Sequence, residues 1–376
     1  MMRRVLESDE TGESLRRRRT CLLAALVLAA GCRVALDEEH LGGPAGIEGV
    51  ETHTLCIVEP PAGVTRSGAF SLAFPDGAYW IFGETVVDLG GGAFAFLSNS
   101  GAVGHAQSDP CAEGLPPVAD DTGAPAQLIS LTDEERAADA ARTDGSRTVL
   151  WPLSGFVHDG VGMVYYRKIV LHDYFDFAVL GVGVARIALG GLAERLTPGR
   201  WVDEPTLLWL APQTDWGTGA LVGEDGLAYV YGCYQRAAWD WPCRVARVAP
   251  QDAGDPTAYE YRADDGWSPQ VQNATEVAAG ETYLSVAFNR HLGRYLAVYG
   301  GPLGNDVYAM AADDPWGPFD EPVKWFTGTA PSSFWIGDVH QHPYYAAPSD
   351  AQVLVGYHTS PAEGFAGMRI VEVALP

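Results

Sequence analysis

Three carboxylates and a group of aromatic and cationic side chains stand at related places along this 376-residue chain. Asp215, Glu281 and Asp338 each lie just ahead of a short apolar segment, and Arg66, Trp151, Trp216, His340 and His342 occupy similar positions. Two carboxyl groups flanking a bond, one protonated and one ionised, are what acid–base cleavage of a glycosidic bond requires. Asp215 or Asp338 paired with Glu281 is the expected couple. Trp151 and Trp216 can stack on a sugar face, and Arg66 can orient a hydroxyl or hold a carboxylate ionised. The competing reading of each acid is a turn cap or a solvated surface charge. His340-Gln-His342 puts two imidazoles on one side of a strand, with Asp338 on the same face, because strand side chains alternate. They can contact a ligand or pack. A chelating pair is a third reading, but two His without a third ligand do not define a metal site, so no metal or cofactor is expected. Glu84 is read as structural, tying the end of its strand to backbone.

The elements that must position these residues are short strands. The chain is rich in Gly, Trp, Tyr and Phe, and its apolar runs are brief and separated by turn signals. A weak repeat recurs: an apolar strand, a tight turn, then an aromatic strand ending near Gly. The copies read SLAFPDGAYWIFGE, SGFVHDGVGMVYYRK, ALVGEDGLAYVYGCY and SVAFNRHLGRYLAVYGG, with a looser fifth, HPYYAAPSDAQVLVGYHT. Gly77, Gly160, Gly226 and Gly293 are read as turn glycines, since Gly accepts positive φ without Cβ strain. Alternating Tyr or Trp with Val or Ile gives each strand two packed faces, which a lone hairpin cannot bury. Radial stacking of five such sheets buries them, so the fold expected over residues 51–376 is an all-β, five-bladed β-propeller. A β-sandwich is the competing architecture. In a propeller the innermost strands begin around one mouth of the central channel, where the residues named above would gather. The one helical segment, Leu131–Arg142, opens with Thr132 as N-cap and acids in its first turn. It is expected as a short surface helix within an insertion spanning roughly 106–147.

The N-terminus reads as a targeting segment. Arg16 to Arg19 form a basic region, Cys21–Ala30 is apolar, and Ala29-Ala30-Gly31 precedes Cys32. Ten apolar residues cannot cross a bilayer core, which needs about 20. The pattern is similar to a bacterial lipobox, making 1–31 a lipoprotein-type signal peptide, Cys32 the lipidated residue and 32–50 a flexible tether. Cleavage at an ordinary signal-peptidase site is the alternative. Attachment to the membrane would then be through the lipid alone, with the outer membrane favoured because Arg33 stands where retained lipoproteins carry Asp. Four cysteines remain, allowing three pairings. Cys233 with Cys243 closes a short loop, which leaves Cys56 with Cys111. Trp239 and Trp241 lie inside that loop, as an exposed aromatic ridge or packed on the sheet. The chain holds 24 basic and 48 acidic residues, a net charge of −24; residues 1–31 contain six Arg and four acids, so their removal leaves −26. Such a surface argues against nucleic acid as a partner, which needs basic residues.

The order of several short segments carries a family resemblance over about residues 53–376. These are Trp80-Ile-Phe-Gly-Glu-Thr85, Asp215-Trp-Gly217, Leu284-Ser-Val286 ahead of Leu292-Gly-Arg-Tyr295, Asp314-Pro-Trp-Gly-Pro-Phe319, and His342-Pro343 ahead of Val355-Gly-Tyr357. The chain resembles the five-bladed propeller superfamily of glycoside hydrolases, and within it a bacterial domain-of-unknown-function family that includes endo-D-arabinanases. The resemblance implies a glycan-cleaving site at the channel mouth. Relatives carry an Asp near the start of the first inner strand, where this chain has Arg66-Ser-Gly-Ala-Phe70, and a Glu two residues before the Ser of the fourth, where it has Tyr283. Two functions are therefore expected: a lipid-anchored, monomeric envelope propeller that cleaves or binds envelope or extracellular glycan, or a non-catalytic surface propeller that binds glycan or protein.

Overall fold

Five antiparallel sheets follow one another along the chain in the computed structural model, which describes residues 46–105, 109–112, 114–173, 176–213, 215–302, 304–330, 335–346, 348–359 and 367–376. Blade 1 pairs its inner strand Ala69–Phe74 with Gly77–Phe82 and then Ser100–Gly104. A separate sheet of Val64–Arg66, Thr85–Gly90 and Ala93–Leu97 accompanies it. Blade 2 runs from Arg147–His158 through Val161–Asp173 to Asp176–Ile187. Blade 3 runs from Asp215–Val222 through Ala228–Cys233 to Pro242–Val248, and blade 4 from Ser285–Asn289 through Arg294–Gly300 and Asp306–Ala312 to Val323–Thr327. Blade 5 joins the two ends of the domain: Ile336–Gln341, Gln352–Thr359 and Met368–Ala374 take Glu51–Val58 as their outermost strand.

The inner strands meet in a ring. Each touches the inner strand of the next blade, and that of blade 5 touches that of blade 1. Bonds between neighbouring blades reinforce these contacts. Leu284 N donates to Thr218 O at 3.0 Å, Gln341 N to Ser285 Oγ at 2.9 Å, and Ser71 Oγ lies 2.9 Å from His342 Nδ1. The fold is the five-bladed β-propeller, and the sandwich alternative falls. Its core is a series of apolar clusters between adjacent blades, such as Trp209, Trp216 and Tyr261 between blades 2 and 3.

The turns depart from the expectation in two places. In blade 2, Asp159 and Gly160 both have positive φ, 50° and 74°, and link His158 to Val161 as a two-residue hairpin turn. In blade 1, however, Gly77 already pairs with Phe74, so Pro75 and Asp76 make the turn. A Cβ at Gly77 would be crowded, standing 3.0 Å from Gly104 O. The fifth repeat is offset too. Its Pro343–Tyr345 stretch is a 3-10 turn, and the true partner of the aromatic strand is Ile336–Gln341.

The helix forms as Asp133–Ala141, with Thr132 and Glu135 satisfying each other's backbone N–H groups. Glu135 also pins it to blade 2, reaching Lys168 Nζ at 2.6 Å and Arg195 Nη1 at 2.5 Å. The insertion is more than surface, since Leu115, Leu128 and Ile129 are fully buried. Both expected disulfides are present, Cys56–Cys111 and Cys233–Cys243. Residues 46–50, expected to belong to a tether, pack on the domain: Ile47 is fully buried and its carbonyl accepts Trp325 Nε1–H at 3.0 Å. The signal segment and Cys32 lie outside the described residues.

Candidate active site

The start of the inner strands defines a mouth formed chiefly by blades 1, 2, 4 and 5. A cavity of about 310 Å³ there is lined by Gly68, Glu84, Trp151, Tyr283, Asp338 and His340, among others. A second, of about 210 Å³, adds Glu281 and shares Thr282, Tyr283, Trp335, Asp338 and His358 with the first. The two are lobes of one opening.

Asp338 sits at their junction, and its backbone explains how. The inner strand of blade 5 pairs at Gly337 and again at His340, with a register break between, and Asp338 has φ +53°. A non-glycine residue in the left-handed region costs on the order of 1–3 kcal/mol and persists where the surroundings hold it, often at working sites. The break swings the carboxylate over blade 1. Gly68, itself at φ +45°, lies so close that a Cβ there would stand 2.5 Å from Asp338 Oδ2. His358 Nδ1 lies 2.9 Å from the same oxygen, and the Tyr283 hydroxyl donates to the carboxylate. Burial opposes the charge on Asp338. The hydrogen bond and charge of His358, the charge of His340 and the Tyr283 hydroxyl outweigh it and hold the group below its ordinary range.

Glu281 is pushed the opposite way. Burial raises its pKa above the usual carboxyl range, and the charge of Asp338 adds to this against the hydrogen bond from Thr282 Oγ1, 3.1 Å from Oε1. One opening therefore holds a carboxylate that favours the ionised form and a carboxyl that favours the proton, the division acid–base catalysis requires. A third acid, Glu84, also faces the cavity. Burial raises its pKa, and it accepts a hydrogen bond from Trp151, so it ties the indole to blade 1 rather than bonding backbone as expected. Trp151 is half-buried at the rim, edge-on to Phe177 with centroids 5.0 Å apart.

The remaining residues divide. His340 lines the mouth between Phe70 and Tyr283, centroids 5.6 and 5.4 Å away, and burial lowers its pKa to about 4. His342 does not reach the opening. It packs at 4.5 Å on Trp80 in the interior, with its pKa lowered to about 3 by burial and then by the charge of His340. Trp216 is no sugar platform: it is fully buried, 5.8 Å from Trp209 and 5.1 Å from Tyr261. Arg66 ends an outer strand instead of leading the inner one. Its guanidinium lies 3.6 Å from the centroid of Phe82 and donates to Leu115 O, so it holds the insertion and touches no part of the mouth. Burial lowers its pKa to about 9. Asp215 opens the inner strand of blade 3, and its side chain lies outside the described residues. No group of three metal-ligating side chains occurs among the described residues.

Sequence reasoning passed over Tyr283, His358, Thr282 and Gly68. Tyr283 was visible only as the residue standing where relatives carry Glu. His358, in the middle strand of blade 5, carries no local signal.

The fold has counterparts among known proteins. Residues 196–354, covering parts of blades 2 to 5, match the family described as Domain of unknown function (DUF4185). No curated protein matches the chain. Among solved structures, a hydrolase candidate from Bacteroides ovatus ATCC 8483 is similar with a TM-score of 0.54 and 18% identity, over 82% of this chain and 85% of that one. A GH43_1 enzyme from Xanthomonas citri aligns with a TM-score of 0.47 and 14% identity, over 87% and 90%. The alpha-L-arabinanase of Cellvibrio cellulosa, solved with arabinohexaose, aligns at 0.46 and 10%, over 82% and 91%.

Proposed function

We propose that the protein is an envelope lipoprotein whose propeller hydrolyses a neutral glycan at the axial mouth. The observation that carries the reading is Asp338 and Glu281 lining one opening, with the proton affinity of the first lowered and that of the second raised. Glu281 protonates the departing glycosidic oxygen, while Asp338 activates water or attacks the sugar carbon. Trp151, steered by Glu84, offers its face to a sugar ring, and His340 and Tyr283 close the opposite wall. The carboxylate above Gly68 stands over the blade 1 residues that carry no acid of their own, so blade 5 supplies the charge to that side. Cys32 would hold the monomer in the envelope by its lipid, a reading that rests on the sequence of residues 16–32.

Arabinan- and xylan-type glycans and envelope polysaccharides offered to residues 44–376 test the reading. Hydrolysis is expected, with kcat reduced at least about a hundredfold in Asp338→Asn and in Glu281→Gln. The rate should fall on the acid side as Asp338 takes a proton and on the alkaline side as Glu281 loses its own. Glu281→Gln should remove the alkaline limb. No turnover on any glycan, or full activity in both variants, overturns the assignment. The missing first-strand acid favours a second reading, a non-catalytic glycan binder. Binding without turnover, retained in Asp338→Asn, is its signature.

A further inference from the structure

Beside the mouth lies a further cavity, of about 480 Å³, between the loop closed by Cys233–Cys243 and the turn that follows Arg294–Gly300. It adjoins the mouth at one residue and along one stretch of chain. Gly301 lines both, and the groove's floor, Ala278 to Gly280, runs in sequence directly into Glu281. Gly280 has no room for a side chain, since a Cβ would stand 2.3 Å from Cys243 Sγ. The disulfide thus fixes the groove and the acid together.

Its walls suit one kind of ligand. Trp239, at the tip of the loop, is 67% exposed, an unusual position for a large indole. Opposite, Tyr299 and Tyr308 stack with centroids 5.6 Å apart. The loop is held in place: Arg236 reaches Asp240 at 2.5 Å and Glu276 at 2.8 Å, and Tyr234 donates to Glu276 at 2.6 Å. Asp306 on the other wall is paired with Lys324 at 2.8 Å. The charged groups are already matched by partners, and Tyr299 is buried beneath Tyr308, which leaves the exposed Trp239 indole, the half-buried Tyr308 and hydrogen-bonding edges for an uncharged, hydroxylated chain. We infer that this groove is a distal binding site for further units of the same neutral polysaccharide whose bond is cleaved at the mouth, making the protein selective for long chains. The inference rests on the glycan reading of the mouth.

The test uses Trp239→Ala with linear arabino- and xylo-oligosaccharides of two and six units. A lost aromatic contact should lower kcat/KM on the six-unit substrate about tenfold and leave the two-unit substrate unchanged. Equal loss on both lengths, or no loss on either, overturns the groove, and measurable turnover by the wild type still upholds the hydrolase reading. If the wild type cleaves neither, the hydrolase reading fails separately, and affinity decides: six-unit binding weakened about tenfold by Trp239→Ala supports the groove. Unchanged affinity, or no binding by the wild type, overturns it.

Discussion

A carboxylate is made useful by what surrounds it, and Asp338 shows how few atoms that takes. His358 at 2.9 Å and the Tyr283 hydroxyl stabilise its charge inside a partly enclosed opening, while burial and then the charge of Asp338 raise the proton affinity of Glu281. Gly68 is the silent member of the set, because its missing side chain is the space that the carboxylate fills. Gly68→Ala should therefore displace Asp338. At φ +45° the substitution is also strained, so a loss of about 1–2 kcal/mol in stability is expected with a kcat loss greater than stability explains. Chemical denaturation and steady-state kinetics read the two effects; a variant with wild-type kcat would show that the carboxylate is free to move.

At the scale of elements, the inner strand of blade 5 does two different jobs with alternate residues. His340 faces the mouth, while His342 turns to Trp80 and Ser71 in the interface with blade 1. Both rings are buried neutral, with pKa values lowered to about 4 and about 3 from an ordinary 6.5. The unfolded chain takes up protons on them below about 6.5, whereas the folded chain resists until near 4 and 3. Stability therefore falls as pH drops through this window, because each tenfold loss of proton affinity on folding corresponds to about 1.4 kcal/mol. Urea midpoints measured from pH 7 to pH 4 should show this slope, and His342→Gln should flatten it. An unchanged slope in the variant would mean that other groups drive the loss.

Across the whole molecule, the ring depends on its two ends meeting. Glu51–Val58 pairs with Met368–Ala374, so the strand that completes blade 5 comes from the start of the domain. Cys56, on that strand, is bonded to Cys111 in the blade 1 insertion, 55 residues away. Closing a loop of that size is worth about 4 kcal/mol by unfolded-chain entropy. Replacing both cysteines by Ser should lower the melting temperature by several degrees, and the freed edge of Met368–Ala374 should raise aggregation. A double variant that melts like the wild type would show that strand pairing alone secures the closure.

The pattern of residues was enough to indicate repeating hairpins, the capped helix and the disulfide pairs, because each follows from local rules: turn chemistry, capping and short loop closure. The blade count followed from five copies of the hairpin repeat, and their radial stacking from the need to cover two apolar faces per sheet. Which acids share a site did not. Asp338 and Glu281 meet because the ring brings blades 4 and 5 together and a register break redirects one side chain. His340 lines the mouth, whereas His342, just past the end of the strand, lies deeper against Trp80. Trp216 and Arg66 stand at the positions expected of ligand contacts, yet inter-blade packing claims the first and the blade 1 insertion the second. Burial and register are properties of the closed ring, and no local spacing encodes them.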